Sequence, residues 1–273
     1  MSGLLVHPDG EPEADGTFLR VTPRSAGWSH VGFEAATLRA GGPPLVRETG
    51  DRECCVVVIS GVASVRSPHG DWEDLGGRAD PWSGRPDAAY LPPGTRLEVT
   101  GEAEVGLCFG PAPAGSAAAP RVLPGHEIEA ELRGHGHQER TVHPILMGDR
   151  EAGSLLVCEV LTPAGHWSSY PPHKHDVDDP PRETLLEETY YHRVFPAQGF
   201  GLQRVYSDDR SLDETLSFGD RDCVLVPRGY HTVSAPPGYA LYYLNVLAGP
   251  VRSWAVANDP DHEWTIAPQG AAR

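Results

Sequence analysis

His173 and His175, separated by one residue, are the residues of this sequence whose type and spacing most directly suggest chemistry. If the segment around them is extended, the two-residue period of a strand projects both imidazoles to one face and Lys174 to the other. Two imidazoles joined by a carboxylate and a third imidazole make a site that holds one divalent ion and leaves positions open. Glu188, within an apolar and aromatic run, and His231, ending Val226-Pro227-Arg228-Gly229-Tyr230-His231, can supply that pair. His-x-His alone does not separate a ligand pair from surface histidines beside the acidic loop Asp176 to Asp179; the ordered set of four does. On a strand, Glu188, Tyr190 and His192 share one face and Glu187 and Thr189 the other, which favours Glu188 over Glu187 as the ligand. Zn or Mn is the expected ion, with Fe, Co and Ni compatible with the same donors. A second cluster, His135, His137 and His143, lacks a companion carboxylate and is flanked by glycines, so it reads as loop.

These side chains need a scaffold, and 31 Gly and 27 Pro among 273 residues argue against long helices. The apolar runs read as short strands: Cys54 to Ser60, Ala88 to Leu91, Leu97 to Thr100, Val105 to Phe109, Leu155 to Leu161, Thr189 to Phe195, Gly201 to Tyr206, Cys223 to Val226 and Ala240 to Val246. The fold class is therefore all-β. An order of elements occurs twice: a strand opened by Glu53 and then Leu91-Pro92-Pro93-Gly94, and a strand opened by Glu188 and then Val226-Pro227-Arg228-Gly229. This order suggests a duplicated barrel, with a sandwich without duplication as the alternative, divided at the low-complexity stretch Pro111 to Pro120 into repeats over 1–120 and 121–273. Glu53 is read as the counterpart of Glu188 and Arg96 as that of His231, and no His-x-His precedes Glu53. Only the second repeat can assemble the ligand set.

A net charge of −16 without clustered Lys and Arg excludes a nucleic-acid surface. No run approaches the roughly 20 apolar residues that span a bilayer, and no secretory signal is read at the N-terminus, so a cytoplasmic address is expected. The five cysteines are odd in number and scattered, as reduced core thiols are. Lys174 is the only lysine, so a Schiff-base enzyme is not expected and an anionic substrate must be held by arginine, with Arg204 and Arg228 as candidates.

Long stretches carry a family resemblance: Trp167-Ser168-Ser169-Tyr170-Pro171-Pro172-His173-Lys174-His175-Asp176, Leu186-Glu187-Glu188-Thr189-Tyr190-Tyr191-His192, Gly199 to Tyr206, Val226 to His231, Tyr242 to Pro250 and Asp259 to Trp264. They resemble the 5-deoxy-glucuronate isomerase family, densely in the C-terminal half and loosely in the N-terminal half. The resemblance implies a bicupin, two cupin-type β-barrels or jelly rolls in tandem. It also implies metal-dependent conversion of 5-deoxy-glucuronate to 5-dehydro-2-deoxygluconate in myo-inositol catabolism. His166 departs from the asparagine usual before the tryptophan, and the long segment between His175 and Glu188 is compatible with a lid. For such an aldose–ketose isomerisation a divalent metal polarises both oxygens. The base candidates are then His192, Tyr190 and Tyr206, in that order, unless a hydride shift removes the need for one. The partner is a small-molecule sugar acid, and pairing of cupin edges allows a homo-oligomer. Competing readings are the related uronate ketol-isomerase of pectin breakdown, an Fe(II) dioxygenase, and a sugar-acid-binding cupin without catalysis.

Overall fold

Apolar runs broken by Gly and Pro do form strands, and the computed structural model, which describes residues 3–8, 10–113, 118–148 and 150–266, is built from three antiparallel sheets. Positions 114–117 of the expected linker lie outside the described residues. The only α-helix among the described residues is the single turn Pro23–Ala26, and no helix is long and apolar enough to cross a membrane. All five cysteines are buried and unpaired.

In the N-terminal half, two strands expected as shorter pieces run on, as Arg52–Ser67 and Arg96–Pro111. They pair with each other along nearly their whole length. Along this ladder Gly61, opposite Ala103, and Gly101, opposite Ala63, adopt φ 80° and 142°. A Cβ on Gly61 would sit 2.1 Å from the Glu102 carbonyl oxygen and one on Gly101 2.2 Å from that of Val62, so only glycine fits. The C-terminal half has two separate sheets instead. One carries Arg140–Leu146, Leu156–Thr162, Ala240–Ala248, Glu187–Phe195 and Cys223–Val226; the other carries Asp213–Phe218, Gly201–Tyr206, Tyr230–Ser234 and Trp167–Lys174.

The halves exchange edge strands. Leu5–Val6 pairs with Cys223–Val226 in the C-terminal sheet, and Arg121–Leu123 pairs with Ala88–Leu91 in the N-terminal sheet. Alternation along the strands then sorts the apolar residues into separate cores. One fills the N-terminal barrel with Leu45, Val56, Val65, Leu97 and Val105. Another lines the C-terminal barrel with Tyr190, Val205, Phe218, Val233 and Tyr243. The largest lies between the halves, where Phe33, Ile59, Tyr191, Tyr242 and Leu244 meet.

Buried charge reinforces that junction. Glu53 accepts the backbone N–H groups of Gly153, Ser154 and Leu155 at 2.6, 2.6 and 2.7 Å and the Tyr90 hydroxyl at 2.6 Å. Reciprocally, Glu187 accepts those of Ser29, His30 and Val31 at 2.7, 2.6 and 3.0 Å. Arg78 makes a fork to Glu159, both bonds 2.8 Å, and His143 adds a bond of 2.7 Å. On the other side Glu104 takes Arg193, Arg221 and the Tyr191 hydroxyl.

These contacts correct the repeat correspondence expected from sequence. Leu91 opposes Cys54, and Val226 opposes Glu188, so Glu53 corresponds to Glu187 and Cys54 to Glu188. Arg96 keeps its place as the counterpart of His231, and Glu48 opposes it as His173 opposes His231. An exposed Arg96–Glu48 pair thus stands in the first half where two imidazoles stand in the second.

Because Glu53 is fully buried with its acceptors filled from both halves, Glu53→Ala strands several donors at once. We expect it to lower unfolding free energy by about 3 kcal/mol in denaturant titrations. A change under about 1 kcal/mol would mean that water replaces the carboxylate there.

Candidate metal centre

Three strands and one loop end converge in the C-terminal barrel. His173, on Trp167–Lys174, stands directly across from His231, on Tyr230–Ser234. A register shift between Ser168 and His173 marks the approach to the site. Ligand-capable nitrogens of His173, His175 and His231 lie within 4.8 Å of one another, and the His231 ring is 4.6 Å from that of His173 and 5.0 Å from that of His175. Glu188 reaches them from the facing sheet, its Oε2 3.0 Å from His175 Nε2 and 3.2 Å from His231 Nε2. Glu187, one residue earlier, faces the other half, as strand parity requires.

Nδ1 of each imidazole lies against a backbone carbonyl: Pro171 at 3.4 Å, Leu186 at 2.9 Å and Gly229 at 3.0 Å for His173, His175 and His231. A carbonyl only accepts, so Nδ1 carries the proton and Nε2 offers its lone pair. His231 Nε2 is buried without a hydrogen-bond partner. Lone pairs and a carboxylate aimed at one another in a buried space repel unless a cation lies between them, so the donor set fits a divalent ion. Without an ion, protons take its place: burial would raise Glu188, but hydrogen bonds and positive charge from protonated His175 and His231 hold it at about 2. Burial would depress His175, yet Glu188 raises it; burial and the neighbouring His231 and His175 push His173 well down.

The segment between His175 and Glu188 is tied down. Glu183 accepts the N–H groups of Asp176 and Val177, Asp176 accepts that of Gly229, and Leu186 supplies the carbonyl that orients His175. Lys174 points away, as expected, to Asp176 and Asp208. Trp254, which the sequence did not single out, covers the group with its ring 6.2 Å from His173 and 6.0 Å from His175.

Among the expected catalytic and binding residues, Tyr190 borders the group, its ring 5.7 Å from His231 and its hydroxyl 3.0 Å from Ser169 Oγ. Burial, then the Glu188 charge, push its phenol well up, so it keeps its proton at neutral pH. His192, two residues further along the same face, is not brought to the group. It stacks on Phe218 at 3.6 Å, bonds Gln203, and is pushed by burial down to about 3. Tyr206 and Arg204 stand on the opposite face of Gly201–Tyr206 from Val205, which pairs with His231, and so lie outside the barrel. Tyr206 donates to Asp259 at 2.6 Å and Arg204 forks to Asp213. Arg228 is exposed and reaches Ser211. His166 bonds the Glu139 carbonyl beside His137, and His135 bonds that of Thr265. Neither joins the metal group.

A model of the KduI/IolB family matches residues 4–265. A protein of Geobacillus kaustophilus named 5-deoxy-glucuronate isomerase is 49% identical, over 100% of this chain and 99% of its own length. One of Bacillus subtilis with the same name is 43% identical, over 97% and 99%. The crystal structure of an IolB-like protein of Salmonella typhimurium superposes with a TM-score of 0.93 at 41% identity, covering 97% of this chain and 100% of that one. Bacillus subtilis oxalate decarboxylase aligns with a TM-score of 0.64 at 15% identity, over 94% and 80%, a likeness of fold alone. The architecture is that of a bicupin.

Two outcomes follow from this geometry. His175→Ala should reduce metal affinity by more than the roughly 10–100-fold that loss of an outer partner causes, with the β circular dichroism unchanged. Undiminished metal stoichiometry in that variant would remove His175 from the ligands. For His192, the ordinary value of 6.5 falls to about 3 in the fold, so its stabilising contribution is complete above pH 6.5 and drains away as pH falls towards 3. Metal-free wild-type protein should therefore lose stability across that window faster than metal-free His192→Leu. Parallel curves would mean that the imidazole gains a proton without penalty.

Proposed function

Given that this chain belongs to the KduI/IolB family, we propose that it is an isomerase converting 5-deoxy-glucuronate to 5-dehydro-2-deoxygluconate, in myo-inositol catabolism. The observation that carries this reading is the converging set of lone pairs from His173, His175 and His231 beside ionised Glu188, in a chain 49% identical over its full length to a named 5-deoxy-glucuronate isomerase.

His173, His175, Glu188 and His231 would hold one divalent ion, Zn or Mn in preference to Fe, Co or Ni. Such an ion supplies Lewis-acid polarisation of adjacent carbonyl and hydroxyl oxygens. The protein's own groups do the rest. Backbone carbonyls at Pro171, Leu186 and Gly229 keep the Nε2 atoms deprotonated and aimed inward. Tyr190, adjacent to His231, keeps its proton and can donate a hydrogen bond to a substrate oxygen without giving the proton up. His192, neutral and stacked on Phe218, stands beside the Tyr190 ring at 6.0 Å. The indole of Trp254 limits water at the imidazoles. We extend the reading to a cytoplasmic protein acting on a small sugar acid. The edge strand Asp213–Phe218 offers a place for copies to pair.

Proton NMR of metal-replete protein with 5-deoxy-glucuronate tests this. The aldose anomeric signals should disappear as the keto acid appears, and chelation should stop the conversion. No conversion by folded, metal-loaded protein would move the assignment to the related uronate isomerase.

A further inference from the structure

One arginine inside the C-terminal barrel has no carboxylate. Arg140 opens the strand Arg140–Leu146, two residues before Val142, which lies in the barrel's interior core opposite Val160. The two-residue period puts both side chains on that inner face. The guanidinium of Arg140 is half-buried and donates from Nη1 to the Gln138 carbonyl at 3.1 Å. No carboxylate among the described residues lies within 4.0 Å of it; Arg78, Arg193, Arg204 and Arg221 each have one, and Arg52, Arg121, Arg150 and Arg252, which have none, each donate to at least two backbone carbonyls where Arg140 has one. In a chain of net charge −16, a partly desolvated guanidinium left without an anion is unfavourable unless a guest supplies the charge.

A file of hydroxyls connects it with the metal group. The Tyr190 ring is 5.7 Å from His231, its hydroxyl is 3.0 Å from Ser169 Oγ, and Ser169 Oγ is 3.3 Å from the Tyr243 hydroxyl. Val160, opposite Val142, pairs in turn with Tyr243, so Arg140 and Tyr243 share the inner face two strands apart, and the charge of Arg140 lowers the Tyr243 phenol against the larger effect of burial. Ser169 adopts φ 48°, an unusual conformation for a side-chain-bearing residue, at the position whose hydroxyl bridges the two phenols.

We propose that Arg140 is the anchor for the substrate's carboxylate, with Ser169 and Tyr243 receiving hydroxyl groups between it and the metal centre. The sugar acid then lies along the inner face, its carbonyl end at the imidazoles and its acid end on a planar fork that matches a carboxylate. This rests on the isomerase reading for the identity of the substrate. It replaces the two arginines expected from sequence, which lie outside the barrel.

The test uses full-length, metal-loaded wild-type protein, Arg140→Met and Arg140→Lys, with metal stoichiometry as the check that the site is intact. Arg140→Met should raise KM for 5-deoxy-glucuronate about 100-fold, the loss expected for a pair of charge-assisted hydrogen bonds, while kcat changes less than about threefold. Arg140→Lys, which keeps the charge and loses the fork, should fall between. Calorimetric binding of D-glucuronate should weaken in parallel. Wild-type protein that isomerises nothing but binds D-glucuronate through Arg140 would remove the isomerase reading and keep the anchor. KM and D-glucuronate binding no weaker in Arg140→Met than in wild type, including the case in which wild type does not bind, would overturn the anchor.

Discussion

At the start of the strand Glu187–Phe195 two neighbouring carboxylates are buried on opposite faces, and both the junction of the halves and the metal centre depend on them. A buried carboxylate is tolerated only when donors or a cation meet it. Glu187 is met by the N–H groups that precede the strand Gly32–Leu38 of the other half, and Glu188 by imidazoles inside its own barrel. Because side chains alternate, the register that satisfies one carboxylate satisfies the other, and a slip of one residue would put each charge in the wrong place. The docking of the two halves thus also sets where the carboxylate beside the imidazoles lies.

The duplication shows how one barrel can become a site while its twin becomes support. Glu53 repeats the clamp of Glu187, with donors from the same place before the corresponding strand, Leu156–Thr162. The residue after it is Cys54, which packs among Leu91, Leu107 and Val56 in an apolar interior. The C-terminal interior places Tyr190, His192, Gln203 and Tyr243 at such positions. Buried polar groups are costly when unpaired, and here most are linked: Tyr190 and Tyr243 through Ser169, and His192 to Gln203. His192 Nδ1 and Gln203 Nε2 are still without partners, which suits a barrel that takes in a polar guest.

Strand pattern, duplication and the grouping of His173, His175, Glu188 and His231 were legible in the residues themselves. Alternation over Glu188, Tyr190 and His192 predicts a common inner face, and the Pro-x-Gly turn before His231 predicts a strand end there; both arise from local backbone geometry. Other assignments needed distances that local pattern does not contain. The repeats could be aligned on Glu53 and Glu188 because both precede apolar strands, and only the opposing residues Leu91 and Val226 reveal the offset of one. Arg204 and Tyr206 sit in a family-like motif, but their strand joins the sheet with Val205 inward, which turns both to the outside. His192 was a plausible base by type, and its burial against Phe218 is what holds it neutral.

The sequence by itself determined an all-β duplicated chain with one complete His, His, Glu, His set, because residue type, two-residue alternation and repeat order are local properties. Tertiary structure decided which face of each strand turns inward, the one-residue offset between the repeats, and which arginine is left without an anion inside the barrel. Those depend on which sheet packs against which, and on how burial and neighbouring charge act on each group. Arg140, in a loop-like stretch without a motif, becomes conspicuous only when other partly buried arginines are seen to have found a carboxylate or several backbone carbonyls.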